Sequence, residues 1–125
     1  MYPALINCLL AALWIFSGLC FLRSPAESAR HLGYEGLGPQ ALVDVRASIG
    51  GVCLAAGLGA LALAAFGRLE AALWLQAVLL GGYAGGRAIG LFLLKGEPRR
   101  HRRWLLVEIG LLLVVISAII SGGPP

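Results

Sequence analysis

Apolar residues fill four long stretches of the chain, and polar residues collect between them. A membrane-crossing helix needs about 20 mostly apolar residues. Four segments have that length: about 4–22, 45–66, 71–94 and 104–121. The first carries no charge, and the second is uncharged from Ala47 to Phe66. The third is interrupted by Arg87 and the fourth by Glu108. An acid costs about 2.5–3.5 kcal/mol near a helix centre. Glu108 lies near one end, and the run "IGLLLVVISAII" that follows offsets the cost. The pattern predicts an all-α integral membrane protein: four transmembrane helices in an antiparallel bundle, one domain over 1–125. The first stretch reads as a span and not a cleaved signal, since "MYPALIN" lacks a basic start and the apolar run exceeds a usual signal core.

The segments between the spans have their own patterns. "SPAESARHLG" predicts a short interfacial helix in the first loop. Ser24 is placed to cap it, Pro25 suits its first position, Glu27 completes a capping box, and Gly33 ends it. Ala26, Ala29 and Leu32 then turn towards lipid or protein. "GRLE" between spans two and three is short enough to make those helices antiparallel neighbours.

Composition supports the membrane reading. The 125 residues are 59% hydrophobic and 13% charged, with a mean hydropathy of +0.87. Soluble globular chains carry about a quarter charged residues. Basic residues concentrate on one side: Arg23 and Arg30 in the first loop, and Lys95, Arg99, Arg100, Arg102 and Arg103 in the third. The positive-inside rule makes those loops cytoplasmic and puts both termini outside. The third loop reads as a topology anchor, or more sharply as a contact for anionic lipid. Trp14, Trp74 and Trp104 are candidates for interfacial belts, Trp104 best of all. Cys8, Cys20 and Cys53 lie in apolar stretches without paired spacing and read as small buried hydrophobes. His31 and His101 are far apart in sequence, so neither a metal nor another cofactor is implied. Nothing points to nucleic acid.

Glycines and charges meet in "GGYAGGRAIG". Gly82, Gly86 and Gly90 form a ridge at four-residue spacing on span three. Gly50, Cys53, Gly57 and Ala60, with Gly51 beside them, give span two a similar face. Small residues let helix backbones approach in lipid, so the two ridges are expected to pack together, a homo-oligomer interface being the rival use. Arg87 lies about 12 Å inward from Lys95, and Glu108 about 7 Å inward from Arg103. Asp44 and Arg46 stand at the entrance of span two, at the same end. The four charges form a candidate polar cluster, with Tyr83 one turn from Arg87 and Gln76 deeper on that face. Intramembrane charges usually face the bundle interior and find partners. The alternative for Arg87 is to snorkel to the headgroups, and the cluster is either a structural clasp or a ligand site.

From "DVRASIGGVCLAAGL" onward the chain resembles a family of small bacterial membrane proteins, domain of unknown function 4345. "GRAIGLFLLKGEP" is similar to its second hallmark, and the glutamate of "LLVEIGLLL" suits its last helix. The resemblance implies a four-helix protein of the bacterial inner membrane, and it points to Asp44, Arg46, Gly50, Gly51, Gly86, Arg87 and Glu108. It implies no activity.

Three functions are compatible with these features. A non-enzymatic membrane protein, such as an accessory subunit of a larger complex, follows from the lack of any nucleophile–base pair, phosphate loop or metal spacing. A small oligomeric transporter or channel would use the charge cluster as its binding site. Small multidrug transporters place their key glutamate in the first helix, where this chain has no acid, and the polar pore stretch of fluoride channels is missing. A membrane enzyme or quinone-linked partner would need His31 and His101 near the cluster.

Overall fold

The computed structural model describes residues 1–93 and 99–122. The described chain is all-helical. The helices are α1 (Tyr2–Arg23), α2 (Pro25–Leu32), α3 (Pro39–Val45), a π segment (Arg46–Gly51), α4 (Val52–Ala65), α5 (Leu69–Leu93) and α6 (Arg99–Ser121). From α3 to α4 the chain is one continuous helix, Pro39–Ala65. Span two therefore begins earlier than residue 45, because Pro39 starts a helix that Asp44 and Arg46 do not interrupt. The basic third loop is also shorter than its sequence implies, since Arg99 to Arg103 already belong to α6. Lys95 lies outside the described residues, as does the side chain of Arg100.

Among the described residues, three helices are long and apolar enough to cross a membrane: Tyr2–Arg23, Pro39–Ala65 and His101–Ser121. With 25 residues α5 has the length, but Glu70, Gln76, Arg87 and five glycines dilute its apolar character. Much of the outer surface of the long helices is apolar. On α1, Leu5, Leu9, Leu13, Phe16 and Leu19 recur at helical spacing and are all exposed. Such a continuous apolar face would be an aggregation hazard in water and is the expected face towards lipid.

The interior is built from small residues. One cluster joins Leu10 of α1, Leu73, Ala77 and Leu80 of α5, and Val115 and Ala118 of α6. A second joins Ala11, Ala60 and Ala72 from α1, α4 and α5. Between α4 and α5 the chain turns in three residues. Gly67 takes a φ of 74°, and the Arg68 amide donates back to the Leu63 carbonyl at 2.8 Å. This left-handed glycine closure frees the chain to reverse at once.

The closest helix approach lies between α1 and the long second helix. A Cβ built at Gly18 would come within 2.6 Å of the Leu54 amide nitrogen, and one at Gly57 within 2.6 Å of the Ala11 carbonyl oxygen. Gly50 abuts Leu22. Gly50 and Gly57 are thus packing glycines, but their partner is α1 and not span three. On α5, a Cβ at Gly82, Gly86 or Gly90 would meet nothing within 4 Å. The expected contact between the two ridges is not made, because α1 offers its own small stripe, Ala11 and Gly18, and occupies that face of α4. Gly51 does not pack either: its nearest neighbour is the Arg46 carbonyl of its own helix.

Other local expectations need correction. α2 forms, and Gly33 ends it at a φ of 97°. Ser24 occupies the N-cap position without a side-chain bond, since its backbone (φ −134°, ψ 66°) is shared with the end of α1, so no capping box closes. Ala29 is buried and Leu32 half-buried, while Ala26 is exposed. Among the cysteines only Cys53 is buried; Cys8 falls on the outward face of α1, and Cys20 is intermediate. Trp14 is no belt residue, because its ring packs on Tyr83 with centroids 5.7 Å apart.

The glycines make opposite predictions. Gly18→Ala and Gly57→Ala should each destabilise the bundle by about 1–3 kcal/mol, since backbone must move to admit the methyl. Gly82→Ala and Gly86→Ala should stabilise it by about 0.4–1 kcal/mol by restricting the unfolded chain at unobstructed helical sites. Thermal unfolding of the detergent-solubilised variants reads both signs.

Candidate functional site

Arg87 and Glu108 meet. Arg87 projects from α5, and its Nε donates to Glu108 Oε1 at 3.1 Å and Oε2 at 3.0 Å. Its Nη2 donates to Oε1 at 2.8 Å. The two side chains are only 17% and 11% exposed. A two-pronged guanidinium–carboxylate contact fixes orientation as well as charge. Arg87 Nη1 also lies 2.9 Å from Nδ1 of His101. Arginine has only donors, so Nδ1 accepts and the His101 proton sits on Nε2. His101 and Glu108 are seven residues apart, two turns on one face of α6. Arg87 is therefore held at two levels of a single helix.

Asp44 and Arg46 do not join this group. Both are exposed, and among the described residues no ion pair links either to Arg87 or Glu108. The π segment is the reason. A π turn holds one residue more than an α turn, which rotates everything before it by about 100° relative to unbroken α geometry. Without it, Arg46 would continue the buried stripe of Gly50, Cys53 and Gly57. With it, Asp44 and Arg46 swing outward. In the same stretch the Ser48 hydroxyl donates to the Asp44 carbonyl at 2.6 Å.

Tyr83 also has a different partner from the one expected. Its hydroxyl lies 3.9 Å from Cys53 Sγ, and its ring is against Trp14, so it ties α5 to α4 and α1. Of the two histidines, His101 reaches the cluster. His31 stands instead with Arg99, Arg103 and Trp104.

A groove of about 480 Å³ opens beside Arg87. Gly82, Gly86 and Gly90 form one wall, with Tyr34 and Ile49 contributed by neighbouring elements and His101 at one end. The glycines that were expected to bury a helix contact border open space. Among the described residues no group of three or more His, Cys, Asp or Glu side chains is placed to hold a metal ion.

A second polar group centres on Gln76. Gln76, fully buried on α5, donates from Nε2 to Asn7 Oδ1 at 2.6 Å. Asn7 Nδ2 donates in turn to the Ala60 carbonyl at 3.4 Å, so α1, α4 and α5 are joined. Gln76 Oε1 is buried and has no hydrogen-bond partner among the described residues. Gln76 is visible in the sequence on the face of Arg87; the signal for its partner is Asn7, the only amide side chain in the first span. Between α1 and α6, Tyr2 and Ser117 hydroxyls lie 2.8 Å apart; Ser117 already donates to Val114 O, so Tyr2 is the donor.

Removing one member of the Arg87–Glu108 pair strands the other in an apolar setting, which costs about 3–5 kcal/mol. Arg87→Ala and Glu108→Leu should each lose stability on that scale. The combined Arg87→Met/Glu108→Leu protein should recover most of it, since an apolar replacement of a whole buried pair is often neutral. A double-mutant cycle on thermal unfolding checks this, and strictly additive losses would show that the two side chains do not stabilise each other. No family model, curated protein or solved structure matches the chain.

Proposed function

We propose that this is a non-enzymatic membrane protein with four spans in an antiparallel bundle. In this reading Arg87, Glu108 and His101 form a structural clasp between α5 and α6. The observation that carries it is the geometry of the pair: both Glu108 oxygens are engaged by Arg87 in a nearly buried contact that ties α5 to α6. The Asn7–Gln76 bond supports counting α5 as a span, because it ties that helix to α1 and α4 through a fully buried contact. The basic residues of the first and third loops favour a cytoplasmic position for both, with the termini outside. The resemblance of "DVRASIGG" and "GRAIGLF" to domain of unknown function 4345 favours a bacterial inner membrane and implies no activity; the accessory role within a larger complex rests on the lack of a catalytic motif in the sequence.

A second reading has one observation in its favour. Arg87 also lines the groove beside Gly82, Gly86 and Gly90. A small oligomeric transporter would present the arginine to its substrate there, with copies of the chain enclosing the path.

Topology and role are tested separately. Four spans place both termini on one face of the membrane, so a cytoplasm-dependent reporter should stay silent at either end; one silent and one active terminus would leave three spans. For the role, Arg87→Ala should lower the melting temperature. An unchanged melting temperature with altered ion or solute flux in vesicles would select the transporter instead.

A further inference from the structure

Two hollows meet in the crevice between α1, α2 and the first turns of α6. One, about 590 Å³, is bordered by His31, Arg99, Arg103, Trp104 and Val107. The other, about 510 Å³, runs beside Phe16, Cys20, Phe21 and Leu32, with Arg23, Ser24, Glu27 and Ser28 also bordering it. They share His31 and Trp104, so a basic cavity continues into a largely apolar one. Arg99 and Arg103 are one turn apart on α6 and edge the same cavity. Trp104 beside them is partly exposed, with an apolar body and a polar N–H suited to the headgroup level. Phe16, in the apolar hollow, is among the exposed large side chains of α1.

We propose that an anionic phospholipid docks in this crevice. Its phosphate lies against Arg99, Arg103 and His31, and an acyl chain follows Phe16 and Phe21. A charged head joined to an apolar chain is the one ligand class that fills both hollows at once, and basic pockets between spanning helices are established headgroup sites. Glu27, on the rim of the apolar hollow, stands one turn from His31 and repels a phosphate from that side. Arg102 borders neither hollow. The basic cluster is thereby divided: Arg99 and Arg103 form a shaped site, and Arg102 contributes general attraction only. The proposal rests on α1 and α6 as membrane helices; it does not depend on α5 being a span or on the role of Arg87.

The test uses the full chain in neutral detergent, titrated with phosphatidylglycerol, with phosphatidylcholine and with inorganic phosphate. Bound lipid is counted by native mass spectrometry. Phosphatidylglycerol should bind in preference to phosphatidylcholine, and inorganic phosphate should not displace it. Arg99→Gln/Arg103→Gln should weaken phosphatidylglycerol binding about thirtyfold, from the usual contribution of two juxtamembrane arginines. Arg102→Gln should change it little, and Arg99→Lys/Arg103→Lys should keep most of it. Matching melting curves establish that these variants fold. Equal binding of the two lipids, equal effects of the double variant and Arg102→Gln, or displacement by phosphate alone would each overturn the proposal.

Discussion

A guanidinium in an apolar bundle has to be surrounded by acceptors, and that requirement governs how α5 and α6 stand. Arg87 has no acceptor of its own, and the desolvation of its charge is offset only if partners are at hand. Glu108 and His101 supply them from one face of α6. Once those contacts are made, the rotation of α5 about its axis is set. Gln76 and Leu80 then point inward, and Gly82, Gly86 and Gly90 border the groove. The arginine and the glycines are thus neighbours in sequence with separate roles in space.

The bundle uses small residues and polar side chains as complementary means of association. Lipid provides no hydrophobic drive for helices to pair, so contact must come from close packing or from hydrogen bonds. Between α1 and the second long helix it comes from packing, with Gly18 and Gly57 admitting backbone atoms where a methyl would collide. Between α5 and its neighbours polar groups are added to the apolar packing of Ala72, Leu73, Ala77 and Leu80: Arg87 to α6, Gln76 to α1, and Tyr83 to the Cys53 thiol.

Helix positions were legible in the sequence because hydropathy is a property of single residues summed along a window. The Arg87–Glu108 pairing was legible because depth follows from residue count, and opposite charges at one depth attract. Helix rotation was not legible. The small stripe of Gly50 and Gly57 was visible, but whether it met α1 or α5 depends on which faces compete for it, and Ala11 and Gly18 won. Asp44 and Arg46 were at the right depth and on the wrong face, for a reason invisible to any count at 3.6 residues per turn. Asn7 gives a weak signal because one uncharged amide barely lowers the hydropathy of a long apolar run.

That lost phase gives the π segment a significance beyond the two charges it displaces. It separates the numbering of the second helix into two independent frames. Downstream of Gly51, the buried stripe of Cys53, Gly57 and Ala60 is packed between α1 and α5. Upstream, residues from Pro39 to Val45 are half-buried or exposed and answer to no comparable constraint. The segment therefore marks a change of phase along one helix, between a half packed closely on its neighbours and an entry half that is half-buried or exposed.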